Sequence, residues 1–137
     1  MRGAEFDGFT HQSQQMFLSA PYTITTQSDR MGYRLAGQPL QLDEKFDLLS
    51  EAVTYGTIQI PPSGQPIILM ADCQTTGGYP KIGQVISADL PRLAQMPLNH
   101  NICFVEVSLQ QAERALFSME QLIATVALSI QLKAQRS

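Results

Sequence analysis

The sequence predicts a single, mainly β domain that ends in one long α-helix, and three observations predict it. At 137 residues the chain has the length of one compact core. Eight prolines and nine glycines, with 7% aromatic residues and no tryptophan, favour many turns and short strands. After Ser108 the apolar residues recur at helical spacing through to the C-terminus.

Thr10 to Ser19 predicts a short helix, with Thr10 as N-cap, helix-favouring Gln12 to Gln15, and an apolar end at Met16, Phe17 and Leu18. Pro21 stops it. Tyr22 to Gln27 alternates and places Tyr22, Ile24 and Thr26 on one face of a half-buried strand. Ser28 to Gly32 is a loop into Tyr33-Arg34-Leu35 and a turn at Gly37-Gln38-Pro39. Ser50 to Tyr55 is a transition, Thr57 to Ile60 a strand and Pro61 to Gly64 a turn. The run Pro66 to Ala71 is short and β-branched, which favours a buried strand over a helix. A polar loop, Asp72 to Pro80, leads to a strand at Ile82 to Ile86 and then to a helical turn or two at Ser87 to Gln95, where Pro91 is tolerated near the start. Asn99 to Asn101 turns into a last strand, Ile102 to Val107. Ser108 and Gln111 form a capping box, and Leu109, Ala112, Leu116, Met119, Ile123, Val126 and Ile130 trace one helix face toward Lys133 and Arg136, cations that suit a helix C-terminus.

Nine Lys and Arg against twelve Asp and Glu leave a net charge of −3, which disfavours binding to a nucleic-acid backbone. The apolar section from Ala115 to Leu132 is interrupted by Ser118, Glu120, Gln121, Thr125, Ser129 and Gln131, so packing on a protein partner is favoured over a membrane span. Cys73 and Cys103 have neither CxxC nor zinc-ligand spacing, and no apolar signal segment opens the chain, so a reduced, cytoplasmic setting without a metal site is expected. His11 and His100 sit in polar surroundings and read as exposed loop residues.

The loop from Asp72 to Pro80 is the most unusual stretch. Gly77 and Gly78 permit positive φ, and with Thr75, Thr76 and Lys81 they suit a cradle for a phosphate or carboxylate, although a hairpin turn is the simpler reading of adjacent glycines. No phosphate-binding P-loop motif is present. Cys73 is a poor nucleophile candidate, because neighbouring Asp72 opposes thiolate formation. Asp72, by contrast, suits acceptance of a ligand N–H, with Gln74 and the threonines reading a polar edge, which fits ureido, amide or lactam groups. In the segment Ser28 to Leu35, Arg30 and Arg34 stand near Asp29 and Gly32; they suit either a bound carboxylate or an internal ion pair, the latter being commoner.

Longer motifs carry a resemblance. S-D-R-M-G-Y-R-L from Ser28 to Leu35, G-T-I-Q-I-P-P-S-G-Q-P-I-I-L-M-A-D from Gly56 to Asp72, Q-T-T-G-G-Y-P-K-I from Gln74 to Ile82, V-I-S-A-D-L-P-R-L-A-Q from Val85 to Gln95 and F-V-E-V-S-L-Q-Q-A from Phe104 to Ala112 are similar to the allophanate hydrolase subunit 2 family. It is also called the biotin-dependent carboxyltransferase subdomain A/B family, and it includes the C subunit of bacterial 5-oxoprolinase and the antagonist of the sporulation-kinase inhibitor. The resemblance implies a cyclophilin-like β-barrel with short helices, residues 1–137 forming one domain equivalent to the family's C-terminal half, with the family's N-terminal domain as a missing partner. Cys73 stands where many members carry Arg, so a contact made by that Arg does not transfer.

On this resemblance the expected function is a share in the ATP-dependent hydrolysis of 5-oxoproline to glutamate, with A-type and B-type subunits as partners and a second copy of the chain as a further candidate. The domain itself is expected to bind no cofactor; the complex uses ATP. Asp72 would orient the lactam or ureido N–H, and Gln74, Thr75 and Thr76 with the Gly77-Gly78 backbone would hold the carbonyl or an oxyanion. Tyr79 and Pro80 would shape the wall, and Lys81 or Arg30 would attract a carboxylate or a phosphorylated intermediate. Two alternatives remain: a carboxyltransferase domain of a biotin-dependent urea carboxylase or allophanate system, and a non-catalytic regulatory module that binds a kinase-inhibitor-type partner.

Overall fold

The computed structural model describes residues 1–43 and 50–136, with side chains through residue 122. After a 3-10 turn at Phe6–Gly8, helix α1 spans His11–Ser19, with the Thr10 hydroxyl accepting from the Ser13 N–H at 3.1 Å. The helix stops as expected, with Ala20 extended ahead of Pro21. Strands follow at β1 (Tyr22–Ile24), β2 (Gly32–Ala36), β3 (Glu51–Ala52), β4 (Thr57–Gln59), β5 (Ile67–Leu69), β6 (Thr76–Gly77), β7 (Lys81–Gln84) and β8 (Asn101–Ile102). A 3-10 turn at Ser87–Asp89 runs into α2 (Leu90–Ala94), which carries Pro91 in its first turn, and α3 covers Leu109–Arg136.

Six strands form one antiparallel sheet in the order β7-β4-β5-β2-β1-β8, and β3 pairs with β6 in a separate ribbon. Alternation divides the large sheet into two faces. Leu35, Ile58, Ile68 and Ile82 are buried on the inner face, against Phe17 of α1 and Leu93 of α2. The sheet curls until its two end strands, β7 and β8, both line one apolar cavity of about 520 Å³, shared with Phe17, Leu93 and Phe104. Side chains bridge the ends there: Phe104 stacks on Phe17 with ring centroids 4.5 Å apart and meets Tyr22 at 5.9 Å.

The mainly β class with short helices and a C-terminal helix is the one expected, and the differences lie in element lengths. β1 ends at Ile24, and Thr26 is exposed in a turn closed by the Ser28 N–H on the Thr25 carbonyl at 3.1 Å. The strand expected at Ile102 to Val107 is only β8, because the register Tyr22↔Ile102 brings Pro21 opposite Cys103 and proline has no N–H for the ladder. His11 opens α1 rather than lying in a loop, and both histidines are exposed.

The capping box forms reciprocally: the Gln111 N–H reaches Ser108 Oγ at 3.1 Å and the Ser108 N–H reaches Gln111 Oε1 at 2.8 Å. Ala112, Ala115, Leu116 and Met119 are half-buried on α3, whereas Leu109 is exposed, off the expected stripe. The expected contacts of Ile123, Val126, Ile130, Lys133 and Arg136 lie outside the described side chains. Among the described residues no helix is long and apolar enough to cross a membrane.

Candidate functional site

The polar loop is not a hairpin. β5 and β7 both pair with β4, one on each side, so residues 70–80 cross over β4 instead of turning back between neighbours. On the way the chain adds β6 to β3, in register Glu51↔Gly77 and Ala52↔Thr76. Gly77 and Gly78 do not adopt positive φ; the glycines that do are Gly56 and Gly64, and Gly64, at +81°, closes the turn on Pro61. Gly77 matters for closeness instead. A Cβ there would run into the Gln59 side-chain amide, whereas one on Gly78 would meet nothing within 4 Å.

The β3-β6 ribbon and the outer face of the sheet together bound a groove of about 640 Å³. Its sheet side is Gly32 and Arg34 of β2, Ile67 and Leu69 of β5 and Gln59 of β4, the residues that alternation turns away from the core. Val53, Gln74, Thr76, Gly77, Gly78 and Tyr79 contribute from the ribbon and its flanks. Five expected site residues, Gln74, Thr76, Gly77, Gly78 and Tyr79, are therefore brought to one groove.

The other five have different surroundings. Asp72 pairs with Arg30 at 3.3 Å on the surface, and its N–H donates to the Arg30 carbonyl at 2.9 Å. The Thr75 carbonyl accepts from Val53 N–H at 3.0 Å, and that of buried Pro80 from Ile60 N–H at 3.0 Å, both in backbone pairing. Lys81 Nζ donates to Glu51 Oε2 at 2.8 Å and to Glu5 Oε1 at 3.3 Å, tying the ribbon and the N-terminal segment to β7. The Glu51 hydrogen bond, helped by the Glu5 charge, raises the Lys81 pKa above its ordinary value. Of the ion-pair partners expected near Arg30, Asp29 is instead a turn acceptor, taking the N–H groups of Met31 at 2.8 Å and Gly32 at 3.2 Å.

Gln59 was not singled out by sequence. It is 5% exposed, and its Nε2 is buried without a hydrogen-bond partner. A glutamine between Ile58 and Ile60 in a strand was the available signal. Cys73 and Cys103 are free thiols, and among the described residues no cluster of three or more His, Cys, Asp or Glu is arranged to hold a metal.

Two curated relatives are each named as the C subunit of 5-oxoprolinase. The Haemophilus influenzae protein is 52% identical over 111 residues, covering 81% of this chain and 36% of the relative. The Escherichia coli protein is 48% identical over 113 residues, covering 82% and 36%. The chain thus spans about a third of the length of these relatives. Among solved structures, K. lactis urea amidolyase superposes with a TM-score of 0.79 at 21% identity, over 85% of this chain and 8% of that one, a likeness of fold. The family model for the carboxyltransferase domain, subdomain A and B, matches residues 1–106. With its groove, its sheet and most of its length inside that match, the chain belongs to the carboxyltransferase subdomain A and B family.

Proposed function

We propose that this chain is the C-terminal part of a protein of the 5-oxoprolinase C-subunit type. With A-type and B-type subunits as partners in the cytoplasm, it helps open 5-oxoproline to glutamate. In that reaction one water adds to the lactam carbonyl, the ring C–N bond breaks and the nitrogen takes up a proton, while a second water is consumed as ATP is cleaved to ADP and phosphate. The observation that carries the reading is the 52% and 48% identity to two proteins of that name. The groove supports it chemically. Gln74 and Thr76 present amide and hydroxyl groups above an apolar floor of Ile67 and Leu69, which suits a small ring carrying an N–C=O unit. Asp72, two residues before Gln74, is taken up by Arg30 on the surface and does not line the groove.

The test is co-purification with the A-type and B-type subunits followed by a 5-oxoproline assay with and without ATP. Turnover is expected only with ATP. Replacing Gln74→Leu together with Thr76→Ala is expected to lower it by at least about tenfold, the scale of one lost polar contact to a reacting group. An assembly with no ATP-dependent turnover defeats the reading; unchanged turnover in the double variant places the site elsewhere.

A further inference from the structure

The outer face of the sheet carries one row of side chains, of which the sequence offered only Arg34, as a candidate for a bound carboxylate. In the strand registers, Arg34 of β2 and Gln59 of β4 both lie opposite Ile67 of β5. Adjacent strands are about 4.8 Å apart, so Arg34 and Gln59 are separated by about 10 Å of backbone with the Ile67 side chain between them. All three line the groove. Among the described residues the Arg34 guanidinium forms no ion pair, in contrast to Arg30 on Asp72, and Asp29 in the same groove is occupied by two backbone N–H groups. Gln59 completes the row with its buried, unpartnered Nε2.

From this row we infer that Arg34 and Gln59 are the specificity pair of the groove, with Arg34 taking a carboxylate, Gln59 the lactam amide, and Ile67 the ring methylenes between them. The ligand class is a small carboxylated lactam, and a neutral ureido compound would leave Arg34 unmatched. The inference rests on the reading above and deepens it. A guanidinium holds a carboxylate through two parallel N–H donors, and Gln59 offers both a donor and an acceptor to a secondary amide. Gly77 keeps room for the Gln59 amide by having no Cβ.

The test is equilibrium binding to the intact protein of three probes: 5-oxoproline, 2-pyrrolidinone, which lacks the carboxylate, and cyclopentanecarboxylate, which lacks the amide. The unaltered protein is expected to prefer 5-oxoproline to either probe by at least about tenfold, equivalent to about 1.4 kcal/mol. Arg34→Gln removes the preference over 2-pyrrolidinone and leaves 2-pyrrolidinone binding as it was. Gln59→Leu weakens both lactams and spares cyclopentanecarboxylate, and Gln59→Glu, which keeps the size, does the same to the lactams. The inference is overturned if the three probes bind alike, if none binds, or if Arg34→Gln holds 5-oxoproline as tightly as the unaltered protein. Its fate is separable from that of the proposed function. An assembly that hydrolyses 5-oxoproline while Arg34→Gln binds it normally keeps the function and loses the pair; an inactive assembly with Arg34-dependent binding does the reverse.

Discussion

Tyr22 and Gly77 show how much a single position can decide. The Tyr22 side chain is fully buried, and burial alone pushes its phenol pKa up to about 12. A folded-state pKa above the unfolded value means that the stabilisation is complete below about pH 10 and is lost as pH rises from there toward 12. Thermal midpoints are therefore expected to fall across that window, and Tyr22→Phe to lessen the fall while changing neutral-pH stability by less than about 1 kcal/mol, its phenol making a single 3.4 Å hydrogen bond to the Gln38 carbonyl. An identical alkaline profile for the variant would contradict the assignment. At Gly77 the constraint is spatial. Gly77→Ala sets a methyl against the end of the Gln59 side chain, which must turn aside, and is expected to lower the unfolding midpoint by an amount equivalent to about 1 kcal/mol. Gly78→Ala, in open space, is the control expected to leave the unfolding midpoint unchanged.

Between elements, the joint with most at stake is the Lys81 ion cluster. Lys81 and Glu5 side chains are 15% and 10% exposed, whereas that of Glu51 is 52% exposed. Lys81→Met strands a buried Glu5 carboxylate, one oxygen of which already has no partner, and is expected to destabilise the protein by about 3 kcal/mol. Glu51→Gln breaks only the exposed arm and is expected to cost less than about 1 kcal/mol. Chemical denaturation of both variants measures the contrast, and equal losses would show that the ribbon arm dominates. Lys81 read from sequence as a ligand for anions together with Thr75, Thr76 and the two glycines; its partners Glu51 and Glu5 are 30 and 76 residues away. The short helix and the capping box were legible, because Thr10 with Ser13 and Ser108 with Gln111 satisfy backbone N–H groups only three residues apart.

For the whole molecule, the decisive feature is that the curled sheet has two ends. β7 and β8 face one cavity, and Phe104, in the irregular segment after β8, spans the gap by stacking on Phe17. Phe104→Ala is expected to cost about 2–3 kcal/mol, below the usual range for a fully buried phenylalanine because the ring is half-buried. Phe104→Leu, which refills most of the volume, is expected to recover at least half of the loss in a urea titration. A Phe104→Ala midpoint within error of the unaltered protein would mean that the sheet ends hold together without the aromatic bridge.

What the sequence determined by itself is local: where turns interrupt the chain, which strands alternate, how α1 and α3 are capped, and that a polar stretch from Asp72 to Pro80 stands apart from the core. Those features depend on neighbours a few residues away, where periodicity and side-chain-to-backbone bonding operate. The tertiary structure alone decided that this stretch crosses over β4, that Asp72 takes Arg30 and Lys81 takes two glutamates, and that Arg34, Ile67 and Gln59 form one row. Strand order sets these partnerships. It depends on which apolar faces bury best against one another across long chain separations, and no local spacing in the sequence records that choice.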